Sequence, residues 1–357
     1  NVIDPLDLMD EYGTDALRLA MVTGNSAGND LRLSEQRVEH GRNVANKIWQ
    51  AARFILTYEP SPPGRGQGEG FSSPELPERW IKSRALAAAR TITRLLEQFQ
   101  LGEAARTVEE FFWGEVCDWY LETVKPRVLT PDHDRGAAAQ ETLLEVLAVS
   151  LRLLHPFMPY VTEEIWQHLR QRLPDLTDTI AMAQWPGTAA GQPVGSESPL
   201  EAWDDPAAEA GMALLIDAIT KIRNYRSENR IEFSDKLSVN LRESDEASLL
   251  LEQRYLIEGL ADATVQLGAG SSEAVRLLVG RQCELEISRQ FDPAAEKARL
   301  QEELRAARLE LERAGRQLEQ PGFKDRAPQH VIQKAHDRLA AATDRVTKLE
   351  QQLQALG

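Results

Sequence analysis

The sequence predicts a mainly α protein in three successive parts: a helical bundle, a small α+β unit and a C-terminal antiparallel coiled-coil hairpin. Three observations lead there. Five Leu-, Ala- and Glu-rich segments, Ser34 to Tyr58 and residues 78–99, 103–124, 136–155 and 160–173, carry apolar residues at helical spacing. A helix from about Pro206 to Asn229 then gives way to short alternating runs, KLSVNLR, ATVQL, AVRLLVG and CELEISR, with one further helix near LLLEQRYLIEGLA. From residue 292 apolar residues return at spacings of three and four, the seam of a coiled coil.

The bundle is expected over residues 34–185, with an exposed linker at 59–77 (EPSPPGRGQGEGFSSPELP). A second linker, 186–205, leads to the α+β unit at 206–291, and the hairpin occupies 292–357. One arm of the hairpin carries Leu300, Leu304, Ala307, Leu311, Ala314 and Leu318. The other carries Ile332, Ala335, Leu339, Ala342, Val346, Leu349, Leu353 and Leu356. Pro321, Gly322 and Pro328 lie between them and stop one helix before the next begins, so the chain can satisfy its own seam.

Composition narrows the function. At 357 residues and 42% hydrophobic content, the chain is long enough for two or three domains. The absence of an eighteen-residue apolar run and the opening NVIDPLDLMD predict a soluble cytoplasmic protein with no membrane partner. That opening also begins with Asn and reads as the middle of a domain, so the chain is expected to be a fragment. Cys117 and Cys283 stand far apart in unlike segments, which predicts reduced, inert thiols. A formal charge of -15 excludes indiscriminate coating of nucleic acid but leaves room for a local basic face.

Catalytic constellations are missing. The six histidines are scattered, and no Walker loop, GxGxxG or metal-ligand spacing occurs. His155, before Pro156 at a helix end, is the best isolated candidate, and a packed or capping role suits it better than catalysis. No cofactor is expected in this chain.

The segment from Ser34 to Tyr58 is the most informative. On a helix, Gly41, Val44, Ile48, Ala52 and Ile55 form an apolar stripe. The opposite face carries Arg42, Asn43, Asn46, Lys47, Gln50, Arg53 and Phe54, with Trp49 at the border. Cations, amides and aromatic rings together suit unpaired RNA bases, which are held by stacking and by hydrogen bonds to their edges. A solvated face with Phe54 tucked under the first linker accounts for the same pattern. In VEEFFWGEVCDWYLETVKPRVL, Phe111, Phe112, Trp113, Trp119 and Tyr120 crowd one helix; Phe112, Val116, Trp119 and Tyr120 fall at core spacing and Lys125 and Arg127 sit at the helix end, which favours packing, with RNA contact as the lesser alternative. In ITKIRNYRSENRIEF, the row Lys221, Arg223, Arg226 and Arg230 could follow a phosphate backbone or pair with acidic neighbours such as Glu228.

These words also resemble a known family nearly end to end. NVIDPLDLMDEYGTDALRLAM resembles the stretch that follows the KMSKS loop in class I aminoacyl-tRNA synthetases for aliphatic amino acids. LPERWIKSRA, EEFFWGEVCDWYLETVKPR and LLHPFMPYVTEEIWQHL are similar to the anticodon-binding bundle that the valine, isoleucine and leucine enzymes share. GNDLRLSEQRV, GRNVANKIWQAARF and the hairpin break QPGFKDRAPQHVIQKAHDRL resemble the valyl-tRNA synthetases. The resemblance implies the following roles. Residues 1–33 join the catalytic region to the bundle, the bundle binds the anticodon, and residues 206–357 hold the tRNA body. It also implies that Arg42, Asn43, Asn46, Lys47, Trp49, Arg53 and Phe54 meet the anticodon, and Arg223, Arg226 and Arg230 the tRNA body. ATP and Mg2+ are implied for the parent enzyme, which is expected to be a monomer. Its partners are valine tRNA and its own upstream catalytic and editing domains, since the HIGH and KMSKS motifs and the editing insertion are not in these residues. Two departures stand out: a Gly- and Pro-rich first linker, and Phe233 where the family often has proline. The alternatives are a scaffold protein built on a synthetase-like bundle, or the same part of an isoleucyl- or leucyl-tRNA synthetase.

Overall fold

The structure, a computed structural model, describes residues 4–23, 33–57, 74–129, 136–186, 199–231, 235–268, 274–289, 293–319 and 338–350. Most of both linkers, residues 24–32 and the hairpin break lie outside the described residues. So do Ile332, Ala335, Leu353 and Leu356 and the side chains of Leu300 and Leu318.

Two short helices open the described chain, α1 (Pro5–Tyr12) and α2 (Thr14–Val22). Asp4 starts α1 by accepting the Leu6 amide at 2.9 Å, and Pro5 supplies the fixed backbone angle of a first helical residue. Gly13 joins the two helices at φ +91°, a conformation that side-chain-bearing residues rarely adopt.

The five expected rods of the bundle are present. They are α3 (Glu35–Thr57), α4 (Leu76–Glu97), a continuous rod over 101–128, α7 (Gly136–Leu154) and α8 (Pro159–Leu169). The third rod changes its winding partway. It runs as α5 (Leu101–Glu110), then ten π-helical residues, Phe111–Tyr120, then α6 (Leu121–Val128). The wider π turn buries Phe111, Phe112, Val116, Cys117 and Tyr120 but leaves Trp119 half-buried, so the expected core position of Trp119 is only partly realised. The α7 helix is apolar nearly all round because it runs through the middle of the bundle, and Leu143, Leu147, Leu151 and Leu154 are fully enclosed.

The first helix of the predicted α+β unit, α9 (Pro206–Glu228), lies along α4. Asp205 caps α9 through the Ala208 amide at 2.9 Å and also meets Arg79 at 2.7 Å, while Ser83 donates to Glu209 at 2.6 Å. The bundle and the sheet consequently share one compact unit, residues 1–231 with 239–287. All four expected strands form: β1 (Leu237–Leu241), β2 (Ala263–Leu267), β3 (Val275–Val279) and β4 (Cys283–Arg289), in the order β2-β1-β4-β3. The single helix expected near residues 249–261 is two, α10 (Asp245–Glu252) and α11 (Arg254–Ala261). The strands β3 and β4 are antiparallel, with Val275 opposite Ile287 and Val279 opposite Cys283. Their turn is clasped by Glu246, whose carboxylate accepts the amides of Arg281, Gln282 and Cys283 at 2.9–3.2 Å. Those amide hydrogen bonds hold its acid strength above that of an ordinary glutamate.

The C-terminal part forms a second unit. Its helices, α12 (Pro293–Glu319) and α13 (residues 338–350), bury Ala307 against Val346 and Leu349, with Leu304 and Leu311 packed beside them. Arg308 meets Glu350 at 2.6 Å and Glu310 meets Arg345 at 3.7 Å. Rising numbers on one arm thus oppose falling numbers on the other, as the antiparallel seam predicts. Among the described residues, no helix is long and apolar enough to cross a membrane.

Candidate nucleic-acid interface

The α3 helix is two-sided. Gly41, Val44, Ile48, Ala52 and Ile55, the stripe read from sequence, are all buried, together with Val38 and Ala51. They pack toward α2, α7, α8 and the π-helical residues. Gly41 is required for that approach, since a Cβ there would lie 2.5 Å from the Ala16 carbonyl oxygen. The far end of α3 is held by side chains from other helices: Gln140 donates to the Ile55 carbonyl and Arg172 to that of Leu56, each at 3.0 Å. Carbonyls that a helix end leaves unpaired are thereby satisfied, and the helix is fixed in rotation.

Fixing α3 sets where its outer face points. Asn43, Asn46, Trp49, Gln50 and Arg53 are exposed, and Arg42, Lys47 and Phe54 are partly so. Arg53 makes no ion pair among the described residues. Arg42 pairs with Glu39 at 3.2 Å and lies over the Tyr12 ring at 5.2 Å. Tyr12 in turn donates to Glu35 at 2.8 Å, and that hydrogen bond raises its phenol pKa to about 12. Trp49 meets the His168 ring edge to face, 6.4 Å between centroids. Phe54 receives the Lys125 ammonium 5.8 Å from its ring centre. The cover imagined for Phe54 under the first linker concerns residues outside those described.

The row on α9 is not one face. Arg226 is 4% exposed and donates to the carbonyls of Ala261 and Asp262, at 3.4 and 2.7 Å. Asp262 adopts the left-handed conformation that ends α11, and the guanidinium caps the carbonyls released there. Arg226, expected among the tRNA-body contacts, is thus turned inward in this structure. Arg223 is exposed, but it donates to the Leu260 carbonyl at 2.9 Å and stacks on Trp119 at 5.7 Å. Lys221 pairs with Asp217 at 2.9 Å. Arg230 is exposed beyond the helix end at φ +51°.

Arg127 lies in the last turn of α6, as read from sequence, and is buried and paired with Glu78 at 2.6 Å. His155 takes the packing role: its Nδ1 lies 2.8 Å from the Thr162 hydroxyl, and burial lowers its pKa, which favours the neutral ring. Its neighbour Asp15, 7% exposed, accepts the amides of Tyr160 and Val161 at the start of α8. Cys117 and Cys283 are free and buried. Burial pushes the Cys117 thiol up to about 12. At pH 8 the native protein should consequently leave Cys117 unalkylated by iodoacetamide over an hour. Rapid labelling at that site, read by mass spectrometry, would contradict this burial.

Sequence reasoning favoured a core role over RNA contact for the aromatic residues of the π-helical stretch, and passed over the acidic Asp118 that faces α3. Lys47 meets Asp118 at 3.2 Å and lies 5.0 Å over the Trp113 ring. The clue was present in WGEVCDW, but an α-helical wheel turns Trp113 and Asp118 to the wrong azimuth in a π-helical stretch.

Comparison with known proteins places this architecture. Residues 78–241 match the model of the anticodon-binding domain of tRNA ligases, and residues 292–357 match that of the valyl tRNA synthetase tRNA binding arm. The class is that of the aminoacyl-tRNA synthetases, or tRNA ligases. The chain is 39% identical to the valine–tRNA ligase of Symbiobacterium thermophilum, over 100% of its own length and 40% of that protein. It is 36% identical to that of Dehalococcoides mccartyi strain CBDB1 (98% and 39%) and 34% identical to that of Bacillus subtilis (95% and 37%). Over nearly its whole length the chain matches the C-terminal portion of valine–tRNA ligases. It spans about two fifths of the length of these relatives. The scaffold reading and the isoleucyl or leucyl reading are not favoured by these relatives. The first family match begins at residue 78, beyond α3, so it does not itself reach the face described above.

Proposed function

We propose that this chain supplies tRNA recognition to an ATP-dependent enzyme that attaches valine to valine tRNA. The bundle takes the anticodon and the hairpin takes the tRNA body. Its partners are that tRNA and the catalytic and editing parts of the same cytoplasmic, monomeric enzyme. ATP and Mg2+ belong to those parts. The observation that carries the reading is the outer face of α3, which presents Asn43, Asn46, Trp49 and Arg53 openly beside a partly exposed Phe54. An anticodon base must leave its stack to be read. Aromatic rings then replace the lost stacking, amides meet base edges, and cations meet phosphates. Phe54 is assigned to stacking, Asn43 and Asn46 to base edges, and Lys47, Arg42 and Arg53 to phosphates or base edges.

The test is binding of the 357-residue chain to a valine tRNA transcript, and to one with an altered anticodon, at two salt concentrations. Phe54→Ala is expected to weaken the first by about 1–3 kcal/mol, the loss of one stacked base. Unchanged affinity would place Phe54 in a packing role only, and equal binding of the two transcripts would refute anticodon reading.

A further inference from the structure

The outer face of α3 is one wall of a trough. The other wall is the π-helical stretch and the start of α6, which bring Trp113, Asp118, Glu122 and Lys125 opposite Lys47 and Phe54. Lys47 Nζ stands 3.2 Å from Asp118 Oδ1 and 5.0 Å from the Trp113 ring. Lys125 stands between Glu122, three residues before it on α6, and the Phe54 ring of α3. Lys47 is thus shared between a ring and a carboxylate of the facing stretch, whereas Lys125 is shared between a carboxylate of its own helix and the Phe54 ring opposite.

The carboxylate is easily replaced. The Lys47 and Asp118 side chains are 34% and 51% exposed. An ion pair so open to water biases an equilibrium by only about twofold to fivefold. We infer that the RNA-facing surface is this two-walled trough, with Asp118 as a specificity-determining residue that occupies Lys47 until a tRNA phosphate or base edge displaces it. This rests on the anticodon-binding role proposed for α3. An RNA that reaches Lys47 recovers the ion pair it disrupts. One that docks without reaching Lys47 feels only the repulsion of Asp118, so the carboxylate raises discrimination at a small cost in affinity.

The experiment is a double-mutant cycle on the full chain with Asp118→Asn, Lys47→Met and both. Binding is measured to the valine transcript and its altered-anticodon counterpart. Asp118→Asn should tighten both by about twofold to fivefold, the altered transcript more, so that the affinity ratio falls. In the Lys47→Met background, where neither transcript can recover an ion pair, Asp118→Asn should tighten both equally and leave their affinity ratio unchanged. A fall in the ratio that persists there does not depend on Lys47 and overturns the inference, as does unchanged or weaker binding of the single Asp118→Asn variant. If Phe54→Ala and Arg53→Ala weaken binding while Asp118→Asn has no effect, the trough fails and the α3 reading stands. If none of these variants alters binding, or the chain binds neither transcript, both fall. Thermal melts confirm that each variant is folded.

Discussion

Replacing Arg127 with methionine is expected to destabilise the bundle by about 3–5 kcal/mol, the usual cost of stranding one charge of a buried pair. Arg127 is 2% exposed and Glu78 0%. The guanidinium reaches Glu78 Oε1 at 2.6 Å and Oε2 at 3.3 Å, and also lies 3.4 Å from Glu75. Glu78 Oε2 in turn accepts the Glu75 amide at 3.0 Å, which starts α4, and Glu75 accepts the Tyr255 hydroxyl at 2.7 Å. One guanidinium therefore ties α6 to the first turn of α4, and through Glu75 to α11. Methionine fills similar volume without the charge, so the loss should come from the uncompensated Glu78 carboxylate and not from a cavity. Chemical denaturation at neutral pH measures it. A change below about 1 kcal/mol would mean that Glu78 takes up a proton or reaches water when its partner is gone.

Gly41→Leu is expected to cost roughly 3 kcal/mol, the upper part of the range for overpacking. Adding only a Cβ at Gly41 would bring it to 2.5 Å from the Ala16 oxygen and 2.9 Å from the Ala16 Cα, atoms of the α2 backbone that cannot rotate aside. Helix α2 must shift, or α3 must turn. Either response disturbs the seating of the outer face, so tRNA affinity should fall with stability. Gly41→Ala should give a smaller loss in the same direction. Native stability in Gly41→Leu, measured by the same denaturation, would show that the two helices separate freely.

The two substitutions mark opposite ends of what the sequence discloses. Gly41 was visible as a member of an apolar stripe, because the spacing of Gly41, Val44, Ile48, Ala52 and Ile55 is a property of one helix. The four strands and the opposed arms of the hairpin were legible for the same reason: alternation and the seam repeat locally along the chain. The π-helical stretch was not, since its wider turn changes which residues share a face while their order stays the same. The likeness of the words themselves supplied the family, without reference to geometry.

Charge pairing belonged to the tertiary structure. Arg127 stands at its helix end as read, and Arg226 was read as either a phosphate contact or one of a pair; that both are buried was not visible in their segments. Their partners come from far along the chain: Glu78 lies 49 residues from Arg127, Asp262 lies 36 from Arg226, and Asp118 lies 71 from Lys47. A side chain's type and helical position are written in its own segment, so the sequence by itself determined the helices, strands, arms and the composition of the α3 face. Whether a cation on such a face is free or already neutralised depends on which distant helix packs against it, and only the assembled bundle decided that.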